Sequence, residues 1–115
     1  MNHKMKLIAE PFDRVKNGKK IIEVRLFDDK RKAIKLGDLI TFLKLPNLDE
    51  SITTEVVGLS RFNSFKKLFS VFGTNPFGHP ENKTIEEQVL GMRDAYSEES
   101  EKKFGVLGIH IRLIS

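Results

Sequence analysis

The chain has 115 residues, 39% hydrophobic and 31% charged, a composition that predicts one soluble, folded α+β domain over residues 1–115 and excludes a disordered chain. The absence of cysteine excludes disulfides, thiolate zinc sites and cysteine nucleophiles, and the formal charge of +4 favours anionic partners. No apolar run is long enough to span a bilayer, and Met1-Asn2-His3-Lys4 leads into a strand-like stretch without the apolar core of a signal peptide, so no membrane association and a cytoplasmic location are expected.

In chain order, Met5 to Ala9 reads as a first strand. Pro11 suits the first position of a short helix with Phe12 and Val15 on its apolar side, ended by Asn17-Gly18. Residues 19 to 26 read as a strand, with Ile22, Val24 and Leu26 on one face and Glu23 and Arg25 on the other. Asp28 to Lys35 is a charged loop, Gly37-Asp38 a turn, Leu39 to Leu43 a strand, and Ile52 to Phe62 a longer one. Asn63 or Ser64 can cap a helix whose face is Phe65, Leu68, Phe69 and Phe72, with Gly73 as its stop. Residues 73 to 83 are rich in turn chemistry, including Asn75-Pro76 and His79-Pro80. Thr84 and Glu87 form a capping-box pattern ahead of Ile85, Val89, Met92 and Tyr96 at helical spacing. Ser97 opens one more short helix, with Glu98 and Glu99 at its positive end and Lys102 and Lys103 at its negative end. Phe104 to Ile114 closes the chain as a strand of alternating apolar residues. About five strands with three or four short helices predict a small curved or barrel-like sheet with helices packed around it.

The most informative segment is Gly18-Lys19-Lys20-Ile21-Ile22-Glu23-Val24-Arg25. Glu23 and Arg25 are two apart in a strand and project to one side, opposite an apolar face. On periodicity alone this is a solvent-facing strand side carrying a weak ion pair. If the sheet curls, the same side lines a cleft in which Lys20 and Arg25 hold an anion or carbonyl and Glu23 accepts a hydrogen bond or carries a proton.

The segment resembles the Gly-x-Lys-x-x-Glu-x-Arg signature of the ASCH (activating-signal-cointegrator homology) domains, with Gly18, Lys20, Glu23 and Arg25 in the signature positions. Ile34-Lys35-Leu36-Gly37-Asp38 resembles that family's turn, Arg61-Phe62-Asn63-Ser64-Phe65 its strand-to-helix junction, and Tyr96 with Phe104-Gly105-Val106-Leu107-Gly108-Ile109 its C-terminal ending. The resemblance runs from about Met5 to Ile114. It implies a PUA-like β-barrel whose signature charges Lys20, Glu23 and Arg25 line a cleft for RNA or a modified nucleoside or nucleotide; the basic residues Lys19, Lys30 and Arg31 add candidate ligand contacts through their charge. It also carries an alternative, since some small members are amidohydrolases that deacetylate N4-acetylcytidine with a lysine, a threonine and a distant glutamate. Lys20 matches the lysine, Glu81 in Glu81-Asn82-Lys83-Thr84 resembles the glutamate, and Glu23 stands at the threonine position. On that alternative Lys20, Glu23 and Glu81 are the catalytic candidates. No cofactor is implied.

The remaining candidates carry less. His3, His79 and His110 lack metal-ligand spacing, so no metal is expected. His79 can border the cleft, whereas His110 reads as a surface position. Phe65, Phe69 and Phe72 read as core, while Phe27 and Phe77, both in loops, are candidates for base stacking. Basic residues gather at Lys30, Arg31, Lys32 and Lys35, at Arg61, Lys66 and Lys67, and at Lys16, Lys19 and Lys20.

Overall fold

Residues 1–114 are described by a computed structural model in which all five strands join one mixed sheet of order β1-β3-β4-β5-β2. These are β1 (Asn2–Leu7), β2 (Ile22–Leu26), β3 (Leu39–Lys44), β4 (Ser51–Phe62) and β5 (Val106–Leu113). Four helices accompany them: α1 (Ala9–Lys16), α2 (Phe65–Phe72), α3 (Ile85–Met92) and α4 (Glu98–Phe104). Only β1 and β3 are parallel; the other pairs are antiparallel. The result is an α+β half-barrel whose free edges are β1 and β2. Among the described residues no helix is long and apolar enough to cross a membrane.

The curl of the sheet buries both of its faces. Leu107, Ile109 and Ile111 of β5 point into the barrel with Met5, Leu7, Ile40, Phe42, Ile52 and Val56, and Phe12 and Val15 of α1 plug one end. The opposite face of β2 and β5, with Ile22, Val24, Leu26 and Val106, packs beneath Phe65, Leu68 and Phe69 of α2 and beneath Phe77. Gly108 faces this outer layer, and a Cβ there would stand 3.3 Å from Leu68 Cδ1, so the missing side chain lets α2 lie close on the sheet.

Several boundaries differ from the sequence expectation. The first strand begins at Asn2 and ends at Leu7, because the polar residues Asn2 to Lys4 pair in register with Leu39 to Thr41 of β3. Pro11 falls inside the first turn of α1, not at its first residue. Lys19 to Ile21 lie outside β2, and Phe104 ends α4 in place of starting β5, with Gly105 at φ 77° between the two. The caps follow the sequence: Ser64 accepts from the Lys67 amide at 3.1 Å, and Thr84 and Glu87 form the reciprocal capping box at 2.9 and 3.1 Å. His110 is not a surface residue; it is half-buried, hydrogen-bonded to Ser60 Oγ at 2.7 Å and edge-on to Phe72. Phe77 is not free to stack on a base either, being fully buried with its edge against Phe69, 5.0 Å between centroids.

Candidate functional site

The signature segment leaves α1 through Asn17 and Gly18, whose φ of 81° turns the chain back toward the sheet. Backbone bonds then fix the turn: the Lys20 amide donates to Arg14 O at 2.9 Å and the Ile21 amide to Pro76 O at 2.8 Å. In β2, Glu23 pairs with Ile109 and Arg25 with Leu107. Cross-strand partners share a face, so both charged side chains point to the inner, concave side of the sheet. They do so on an edge strand, at the open seam facing β1.

The expected solvent-facing strand side is therefore overturned. Glu23 is only 3% exposed. Its Oε1 lies 2.9 Å from Lys20 Nζ and its Oε2 2.7 Å from Arg25 Nε, and these two cations keep 11% and 13% of their side-chain surface. Arg25 Nη2 also donates to the Lys6 carbonyl of β1 at 3.1 Å. One guanidinium thus spans the gap between the two free edges of the half-barrel. Periodicity failed here because a half-barrel has a buried inner face where an open sheet would have water.

The electrostatics follow from this packing. Burial works against the Glu23 carboxylate, but the charges and hydrogen bonds of Lys20 and Arg25 outweigh it and hold the group at about 2, below its usual 4.5. Burial likewise works against the Arg25 charge and is outweighed by Glu23, with Tyr96 adding to the effect, so its pKa is raised. Each Glu23 oxygen has a lone pair beyond these contacts, and Lys20 and Arg25 retain donors. The triad can therefore both donate and accept across a short span.

A second wall comes from the loop of residues 75–83. Arg14 Nε donates to Phe77 O at 3.2 Å, which ties that loop to α1. Gly78, at φ 72°, lies so close that a Cβ would stand 2.8 Å from Arg14 Cδ. His79 is half-buried behind it, with Lys83 Nζ 3.4 Å from Nδ1. Burial, followed by the nearby charges of Lys83, Arg14 and Lys20, pushes the imidazole down to about 4, so it is neutral at physiological pH. Two grooves flank it, one of about 540 Å³ reaching Gly18, Lys19 and Ile21, the other of about 330 Å³ reaching Glu10, Arg14 and Lys83.

The structure brings together Lys20, Glu23 and Arg25, with Lys19 on the adjoining groove. Lys30 and Arg31 stand apart in the loop after β2, where Lys30 is exposed and Arg31 is bound to Asp28 at 2.9 Å. Glu81 lies in an exposed turn and lines neither groove. Sequence reasoning missed Arg14 and Lys83. Arg14 carries only the signal of a helix-surface pair with Glu10, four residues away, and nothing local to Lys83 tells of its position beside His79.

Comparison with known proteins agrees with this fold. The ASCH domain family model matches residues 5–115. The chain is similar to the hypothetical protein PH0355, known from a crystal structure, at 38% identity and a TM-score of 0.85, covering 99% of this chain and 100% of that one. It is similar to Protein PF0455 from Pyrococcus furiosus, solved by NMR, at 34% identity and a TM-score of 0.76, covering 100% and 99% of the two chains. The ASCH protein of Zymomonas mobilis shares the fold alone, at 14% identity and a TM-score of 0.60, over 96% of this chain and 66% of that one. A search of curated proteins finds no match. With its half-barrel, its buried Lys20–Glu23–Arg25 triad and a family match over nearly its whole length, this chain belongs to the ASCH domain family.

Proposed function

We propose that the chain binds RNA, or a modified nucleoside or nucleotide, in the cleft between the Lys20–Glu23–Arg25 triad and the loop around His79. The observation that carries this reading is the burial of Glu23 between two cations at the seam of the half-barrel. Replacing a buried ion cluster by apolar packing of the same volume is often neutral or stabilising, so a cluster whose Lys20 lines a groove of about 280 Å³, beside Lys19 on the 540 Å³ groove, supports recognition as its role. Lys20 and Arg25 suit a phosphate or a base carbonyl, and Glu23 suits an exocyclic amine. A small cleft of this kind takes an unstacked base more readily than a duplex, and the ASCH family is generally thought to bind RNA.

The test is fluorescence anisotropy with short single-stranded RNA at low salt. Lys20→Met keeps the aliphatic stem and leaves Glu23 paired with Arg25. It is expected to weaken binding by about tenfold, the loss of one charge-assisted hydrogen bond, with an unchanged circular dichroism spectrum. Wild-type protein that binds no RNA at low salt sinks the reading.

Hydrolysis of an acylated nucleoside is a second reading, favoured by one feature: the neutral imidazole of His79 close to Lys20. Water would add its oxygen to the acyl carbon, and the carbon–nitrogen bond would break as the water's proton passes to the leaving exocyclic nitrogen, releasing the carboxylic acid and the free amine, with Lys20 and Glu23 at the reacting centre and Glu81 assisting. The exposed position of Glu81 supports it less well. Chromatography of N4-acetylcytidine with wild-type protein and Lys20→Met separates the two readings, because binding alone produces no cytidine.

A further inference from the structure

A groove of about 570 Å³ lies beyond the triad where β2, β4 and α4 end together. Three rings, Phe27, Phe62 and Phe104, and three cations, Arg61, Lys102 and Lys103, line it with no carboxylate among them. Building on the RNA-binding reading of the cleft, we infer that this groove is the track for the single-stranded RNA that leads into it.

Register places the groove next to the triad. Arg25 pairs with Leu107 and Leu107 with Arg61, so the three lie in one row on the concave face of adjacent strands. Adjacent strands are about 4.8 Å apart, which puts the backbones of Arg25 and Arg61 about 10 Å from each other. Phe27 follows Arg25 by two residues, and its amide donates to Gly105 O at 2.9 Å, tying the end of β2 to the end of α4. A single strand with one nucleotide against Arg25 therefore has its neighbour at the groove.

The chemistry of the lining fits that occupant. The Arg61 guanidinium sits 3.8 Å from the centroid of the Phe27 ring. A planar cation stacked on a ring offers its other face to a base. Lys103 Nζ lies 5.1 Å from the Phe104 centroid, which holds a second cation over a second ring. Among the described residues, neither Arg61, Lys102 nor Lys103 forms an ion pair, in contrast to Arg31 with Asp28, Lys44 with Asp13 and Arg112 with Glu55. Exposed cations without internal partners attract a polyanion, and rings set among them suit stacked bases without demanding a sequence.

The experiment compares oligouridylates of about three and about ten nucleotides, measured by anisotropy over a salt series with wild-type protein, Arg61→Ala and Lys102→Ala/Lys103→Ala. Wild-type protein should bind the longer strand on the order of tenfold more tightly. The groove variants should lose that gain, keep their affinity for the short strand, and show a salt slope lower by about 0.7 for each phosphate contact removed. An undiminished length gain in the variants overturns the track while leaving the cleft reading intact. Competition by poly-glutamate as effective as by RNA overturns it too, since the groove would then take any acidic chain. Wild-type protein that binds neither strand fails the cleft reading itself and the track with it.

Discussion

Two glutamates are withdrawn from water in this molecule, Glu23 at 3% exposure and Glu101 at 7%, and both hold an arginine. Their surroundings differ in kind. Glu101, on α4, accepts the amide of Phe65 at 2.6 Å and pairs with Arg93 at 2.6 Å. It thereby satisfies one of the amides that the start of α2 leaves without a partner within the helix, and joins two helices of the outer layer. Among the described residues Glu23 satisfies no backbone group. Both of its partners are side-chain cations, and one of them also reaches across to the opposite edge of the sheet. Burial of a charge is thus no sign of a site by itself. What marks Glu23 is that its contacts are all with groups capable of meeting a ligand.

Replacing each glutamate should separate the two roles. Glu101→Ala strips α2 of its contact and leaves the Arg93 guanidinium without its acceptor. A loss of about 4 kcal/mol is expected, read as a lower denaturation midpoint, with RNA affinity per folded molecule unchanged. An equal fall in affinity and stability would erase the distinction drawn between the two residues.

Glu23→Gln tests the other side. The carboxylate is depressed to about 2 in the folded chain against 4.5 unfolded, which corresponds to a stabilisation on the order of 3 kcal/mol. That contribution is complete above about pH 4.5 and is lost as the pH falls toward 2. Wild-type protein should therefore lose stability steeply across that window, and Glu23→Gln should show a shallower dependence together with weakened RNA binding at neutral pH. Denaturant melts at several pH values measure the first effect and anisotropy the second. A variant that retained full affinity would place Glu23 with Glu101 among the residues that only hold the fold.

The smallest effect is expected at His79. Its imidazole should titrate near pH 4 in the free protein, visible in its ring proton shifts by NMR. A phosphate bound among Lys83, Arg14 and Lys20 would offset their repulsion and raise that midpoint, by roughly one unit for about 1.4 kcal/mol of interaction. No movement on saturation with RNA would place the phosphates away from the His79 wall.

The same contrast shows what the sequence could reveal. Ser64 and the Thr84–Glu87 pair were legible because a cap is a local arrangement, complete within four residues. The signature was legible as a pattern, but its burial was not. Whether Glu23 meets water or the barrel interior depends on the curl of a sheet whose strands are far apart in the chain. Glu101 was hidden among Glu98, Glu99 and its lysine neighbours on an ordinary amphipathic stretch, since nothing nearby announces that Phe65 supplies its partner. The strand at Asn2 to Lys4 was missed for a related reason: its residues favour no strand, and β3 supplies the hydrogen bonds that make it one.

The pairing of β2 with β5 also bears on how the protein is made. Lys20, Glu23 and Arg25 are synthesised early, yet the strand that orders them is the last of the fold. A nascent chain carries its cationic signature in an unformed state until Val106–Leu113 have left the ribosome, because only then can Ile109 and Leu107 take their places beside Glu23 and Arg25. The geometry of the triad is therefore incomplete until β5 is in place, and a polypeptide that stops before it carries the signature's charges without the edge-strand pairing that orders them.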